Sequence, residues 1–171
     1  MVWKVSGLRG KLKAEGNNLK FIMGVTDTET VKLDFDNASF KTVKYWASRT
    51  MKWFKLEGFI ILKSSENNYH VVFNRPVSWS ENMHIVAWVS LLSGNQMLEK
   101  WLLMQCIKEG STLRVSPKRD KPSPRIVYRY GKQDKQIRDF LAYRKLAKSI
   151  YKQVQKHTFK PIKRRKSTIK H

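Results

Sequence analysis

Two carboxylates, Asp34 and Asp36, close the apolar run Val31-Lys32-Leu33-Asp34-Phe35-Asp36 directly ahead of a segment with helical periodicity. In an extended strand alternate side chains share a face, about 6 to 7 Å apart along it, so the two acids point the same way. From Ala38 to Phe54 the residues Phe40, Val43, Ala47, Thr50, Met51 and Phe54 recur at spacings of three and four, which predicts an amphipathic helix capped by Asn37. An acid-bearing strand thus ends against a helix amino terminus, and a strand and helix joined this closely must bury their apolar sides in one layered core. Two like charges held together cost free energy unless something positive offsets them. A divalent cation bound through oxygen is the usual neutraliser at such spacing.

The remaining pattern alternates short β-rich runs with longer helical ones. Leu19 to Val25 reads as a strand after a turn at Asn17 and Asn18, and Gly58 to Lys63 and Tyr69 to Phe73 read as two strands joined by Ser64-Ser65-Glu66-Asn67-Asn68. Helices are expected from Ser80 to Leu92, with Ser80 as cap, and from Gln96 to Ile107 after Gly94. Thr112 to Ser116 and Ile126 to Tyr130 are short β-like runs. The expected fold class is α+β: an antiparallel-containing sheet with helices packed on one face. Its hairpin between two helices resembles the split βαβ plan of RNA-recognition-like (RRM-like) domains. Residues 1–131 would form this domain. Residues 132–158, with Ile137, Phe140, Leu141, Ile150, Tyr151 and Val154, would add a basic amphipathic helix on or next to the core, and residues 159–171 a disordered basic tail.

Lys and Arg number 35 against 13 Asp and Glu, a formal charge of +22, which is the footprint expected of a protein whose partner carries phosphates. The longest apolar stretches, such as Gly58 to Leu62, fall far short of a membrane span. The amino end, with Lys4, Arg9, Lys11 and Lys13, has no apolar signal core. The expectation is a protein that is not secreted and has no membrane partner: cytoplasmic or host-cell intracellular, and nucleoid-associated. The single cysteine, Cys106, excludes an intrachain disulfide and a cysteine zinc site, and its apolar run Leu102 to Ile107 reads as buried. No histidine pair has zinc-ligand spacing.

Two further clusters bear on chemistry. His70 opens an apolar strand expected beside the acidic one, where an imidazole could donate to a phosphate oxygen. Arg114, Ser116 and Lys118 alternate along a short strand, which would set guanidinium, hydroxyl and ammonium in a row suited to a triphosphate or a nucleic-acid backbone. Arg119 and Lys121 extend the basic run, and Lys163, Arg164, Arg165 and Lys166 form a second one suited to gripping nucleic acid.

Taken together, an Asp-x-Asp strand, a strand opening Tyr69-His70 and a strand carrying Arg114 and Lys118 resemble the archaeo-eukaryotic primase superfamily, over roughly Lys32 to Lys118. Asn68 stands where that family commonly has the serine of a Ser-x-His motif, and only Glu109 is available near the place of a third acid. The resemblance implies a primase or polymerase-like nucleotidyltransferase acting in replication. Asp34 and Asp36 would hold two Mg²⁺ or Mn²⁺ ions and act as catalytic residues with His70, while His70, Arg114, Ser116 and Lys118 would bind the phosphates of a nucleoside triphosphate. The partners implied are a DNA template, single-stranded or primed, and a second primase or replication subunit. Three readings stay open beside it: a degenerate primase subunit, a single-stranded nucleic-acid-binding module using Tyr45, Trp46, Trp53, Tyr69, Tyr128 and Tyr130 as a stacking platform, and a metal-dependent nuclease.

Overall fold

A computed structural model describes residues 2–5, 7–15, 18–118 and 121–158. Their strands form two antiparallel sheets. In the first, β1 (Val2–Val5), β2 (Leu8–Glu15), β3 (Asn18–Asp27) and β7 (Ser111–Arg114) lie in that order; in the second the order is β4 (Thr30–Phe35), β6 (Asn68–Pro76), β5 (Gly58–Ser65) and β8 (Arg125–Gly131). The helices are α1 (Phe40–Trp53), α2 (Trp79–Ser93), α3 (Gln96–Lys108) and α4 (Gln136–Thr158). The class is α+β. No described helix is long and apolar enough to cross a membrane.

Side-chain alternation on the second sheet divides the core in two. Val31, Leu33 and Phe35 of β4, Phe59 and Ile61 of β5, and Val71 and Phe73 of β6 pack with Val43 and Ala47 of α1, Ile85, Val86 and Val89 of α2, and Leu98 of α3. The intervening residues Ile60, Leu62 and Val72 meet Met23 and Val25 of β3, Leu113 of β7, and Ile137, Phe140 and Ala147 of α4. Burial on both faces is why β5 and β6 read as continuous apolar runs rather than alternating ones. It also departs from the expected single sheet with one bare face, since the period-2 residues Phe21, Met23 and Val25 bring the first sheet and α4 onto that face.

β4 and β5 both pair antiparallel to β6 between them, so they run parallel to each other, with α1 as the crossover. The strand that an RNA-recognition-like sheet would set beyond β4 is not paired there among the described residues. β7 pairs instead with β3, from Gly24 opposite Arg114 to Asp27 opposite Ser111. Side chains bridge the seam that this leaves. Lys32 of β4 is 0% exposed and donates to Asp27 Oδ2 at 2.5 Å and to the Ser111 carbonyl at 3.0 Å.

Local corrections have local causes. α1 is capped by Ser39, whose Oγ accepts from Thr42 N at 3.1 Å, whereas Asn37 takes a left-handed conformation (φ 56°) that turns the chain out of β4. α2 starts one residue before Ser80 and is capped by Ser78. Cys106 is exposed, not buried, because α3 turns only one stripe inward, through Leu98 and Gln105, and leaves Leu103 and Ile107 in solvent.

Candidate functional site

The β4–β6 ladder sets Asp34 directly opposite His70, on the face that looks toward the first sheet. His70 Nε2 lies 3.4 Å from Asp34 Oδ1, with 4% of the imidazole and 24% of the carboxylate side chain exposed. Burial pushes Asp34 up to about 6, against the pull of Arg114, Lys118, Lys121 and Lys108 in the other direction. Burial first, and Arg114 second, drive His70 down to about 3. The imidazole is therefore neutral at pH 7, and its contact with Asp34 is not an ion pair. Its Nδ1 is buried without a hydrogen-bond partner among the described residues. Asp36, half-buried one alternation further on, is also raised, by burial and then by the charge of Asp34.

Three asparagines fix the backbone under Asp36. Asn37 N donates to Asn68 Oδ1 at 3.1 Å, Ala38 N donates to the Asn67 carbonyl at 2.9 Å, and Asn95 Nδ2 donates to the Asp36 carbonyl at 3.2 Å. Asn68 thus serves as a backbone clamp, donating to Ser65 Oγ as well at 2.6 Å. Asn95 also caps α3 by accepting from Leu98 N at 2.9 Å. Asn95→Ala should lower stability by at least about 1 kcal/mol, the usual loss for a cap, and Asn95→Asp, which keeps the cap but loses the donor to the Asp36 carbonyl, should also lie below the parent by about 1 kcal/mol; urea unfolding checks both.

Arg114 enters from β7 already engaged. Its Nη1 donates to the carbonyls of Ser116 at 2.5 Å and Pro122 at 3.0 Å, and its Nη2 donates to the Ser64 carbonyl at 3.3 Å. With five N–H donors in all, it keeps capacity for a phosphate oxygen while it holds the segment after β7 against the end of β5. The expected row of Arg114, Ser116 and Lys118 does not form, because β7 ends at Arg114. Ser116 is 1% exposed, and its Oγ accepts from Met23 N at 2.8 Å and donates to the Pro117 carbonyl at 3.2 Å, so it staples this segment to β3. Lys118 and Lys121 exchange two backbone hydrogen bonds of 2.9 Å, and both ammonium groups act on Asp34 and Asp36. Arg119, Lys163, Arg164, Arg165 and Lys166 lie outside the described residues.

Beside this cluster lies a cavity of about 560 Å³, lined by Lys63, Ser64, Ser65, Lys121, Pro122 and Arg125 among others. Its size is within the range of small-molecule sites, and Ser64 and Pro122 join it to Arg114. Lys108, in the last turn of α3, was not foreseen as a site residue; only its place at a helix carboxyl end distinguished it.

Asp34 and Asp36 are the two carboxylates at this site. Among the described residues no three His, Cys, Asp or Glu side chains are grouped to hold a metal ion, and Glu109 is the exposed left-handed cap of α3. Mg²⁺ commonly takes one or two carboxylates and leaves its other positions to water and substrate phosphates, a role open to Asp34 and Asp36.

The aromatic residues do not form one platform on the sheet. Tyr69 is 6% exposed in the core, and Tyr128 lies under Phe40 and Lys44 of α1, with Lys44 Nζ 4.4 Å from its ring centre. Tyr45 and Trp53 point outward from α1. No family model matches the chain, and no curated protein and no solved structure does either.

Proposed function

We propose that the chain is a primase-like nucleotidyltransferase that extends a nucleic-acid strand on a DNA template inside the cell. The observation that carries this reading is the convergence of Asp34 with His70, Arg114, Lys108, Lys118 and Lys121 at the seam of two sheets. They come from β4, β6, the end of α3, and β7 with the segment that follows it. An acid held up near 6 while surrounded by cations is the kind of perturbation that marks sites of chemistry.

In this reading Asp34 and Asp36 hold Mg²⁺ or Mn²⁺. The bound cation would neutralise the triphosphate and favour ionisation of the attacking 3′-hydroxyl. The 3′-oxygen bonds to the α-phosphorus, the bond to pyrophosphate breaks, and the hydroxyl proton leaves to water. Lys118, Lys121 and the remaining donors of Arg114 offset the phosphate charge. Neutral His70, carrying one ring proton, can donate to a phosphate oxygen without adding charge. The neighbouring cavity with Lys63, Lys121 and Arg125 is a place for the nucleoside triphosphate. A second ion would need its oxygens from substrate and water, since the described residues supply two carboxylates at this site. A partner replication subunit could supply what is missing.

That shortage favours one other reading, a nucleic-acid-binding subunit without catalysis. Extension of a labelled primer on a DNA template, with ribo- or deoxyribonucleotides and Mg²⁺ or Mn²⁺, decides between them. We expect incorporation by the parent protein that falls to background in Asp34→Ala/Asp36→Ala. Absence of incorporation by the parent, with salt-sensitive template binding intact, would leave the binding subunit. Shortened products would point to a nuclease.

A further inference from the structure

We infer that the outer face of α1 is a separate binding surface for single-stranded nucleic acid, on the opposite side of the second sheet from Asp34. Lys41, Lys44, Tyr45, Arg49 and Lys52 recur at helical spacings of three and four, so they share one stripe about 16 Å long. No acidic residue interrupts α1, and Lys41, Lys44, Arg49 and Lys52 are all exposed. With Phe40 and Ser48 the stripe forms one open surface along α1. Aromatic rings are interleaved with the charges, Tyr45 being 53% and Phe40 36% exposed. Two of the cations already engage tyrosines, one on the stripe and one beneath it. Arg49 Nη1 donates to the Tyr45 hydroxyl at 2.9 Å, and Lys44 stands over Tyr128.

Cations track a phosphate backbone, and exposed rings accept unstacked bases, whereas duplex DNA offers no free base faces to them. An anionic membrane would match the charge, but it calls for a continuous aliphatic stripe, and here the exposed apolar groups along the stripe are single rings between cations. The helix that carries the stripe begins at Phe40, four residues beyond Asp36, so a strand lying on α1 would lead toward the acid pair. The inference does not depend on catalysis at that pair.

The test is therefore a binding measurement in the Asp34→Ala/Asp36→Ala background, without nucleotide or metal. Fluorescent oligo(dT), a duplex of equal length and vesicles containing phosphatidylserine are titrated at several salt concentrations. Lys41→Gln/Lys44→Gln/Arg49→Gln/Lys52→Gln should weaken oligo(dT) binding at least tenfold and flatten its log–log salt slope by up to about 3. Arg138→Gln/Lys145→Gln/Lys152→Gln/Lys156→Gln, which removes the same charge from exposed positions of α4, should change it less than about threefold. Tyr45→Ala leaves net charge and core untouched and should weaken oligo(dT) binding about tenfold with duplex binding unchanged. Equal losses from the two charge variants, a Tyr45→Ala affinity equal to the parent's, or an α1-dependent effect on vesicles alone would each overturn the inference. Failure of primer extension would not touch it.

Discussion

Asp27→Ala should lose about 3–5 kcal/mol of stability, and Lys32→Met far less, although the two changes remove the same ion pair. The asymmetry follows from exposure: the Lys32 side chain is 0% exposed, whereas that of Asp27 is 32% exposed. Removing the aspartate leaves an ammonium in the seam with only the Ser111 carbonyl, and also takes the acceptor of Thr30 N at 2.7 Å. Removing the lysine leaves a carboxylate that water can reach, and methionine fills the vacated space. Burial already lowers the Lys32 pKa, and Asp27 is the group that opposes the shift. In Asp27→Ala the folded-state value must fall further below the unfolded one. For a base this means stability that is present above about pH 10.5 and lost as pH falls. The deficit of Asp27→Ala should therefore shrink as pH rises toward about 10.5. Urea unfolding across that range checks it, and equal losses from the two variants would show that Lys32 is not confined in the seam.

Asp34→Asn should stabilise the protein at pH 7.5 by about 1–2 kcal/mol while removing a carboxylate proposed to hold a cation. The folded-state pKa of Asp34 is raised from 3.8 to about 6, which corresponds to at most about 3 kcal/mol, reduced because the side chain is 24% exposed. The sign is that of a raised acid: its contribution is full below about pH 4 and lost as pH rises through about 6. The variant and the parent should thus be equally stable near pH 4, diverge between pH 4 and 6, and stay apart above it. His70 has the opposite sign, since its depressed value makes stability fall as pH drops from about 6.5 toward 3. That loss is common to both proteins and largely cancels in the difference. Saturating Mn²⁺ should close the gap by stabilising the parent alone. A gap independent of pH would mean that Asp34 is held by packing rather than by charge. Stability given up for an ionised, buried acid is expected where a site has been shaped for use rather than for folding.

The parts of the fold most legible in the sequence are those where a single period rules. Val43, Ala47 and Thr50 mark the buried stripe of α1, and the unbroken runs of β5 and β6 mark strands covered on both sides. Helix starts are less legible because neighbouring polar residues compete for one cap: Ser39 takes the position expected for Asn37, and Ser78 that expected for Ser80. The second sheet's other covering was hidden because its apolar side chains come from distant segments, Met23 and Val25 at one end and Ile137 and Phe140 at the other. Within the site, the shared face of Asp34 and Asp36 followed from strand geometry alone. The registration of Asp34 against His70 did not, since it depends on how β4 aligns with a residue 36 positions later in the chain. The row after Leu113 failed because its period-2 reading assumed a strand where Ser116 turns in to bind Met23. A fully buried Lys32 could not be anticipated from a residue type that is almost always exposed.

The pairing of β3 with β7 has a consequence for how the protein comes into being. Arg114 lies opposite Gly24, so the first sheet waits for its last strand until the whole of the second sheet's hairpin and three helices have left the ribosome. A growing chain can assemble β4, β5 and β6 while Asp34 is still hydrated and lacks Arg114, and the desolvation that raises its proton affinity arrives only with that late closure.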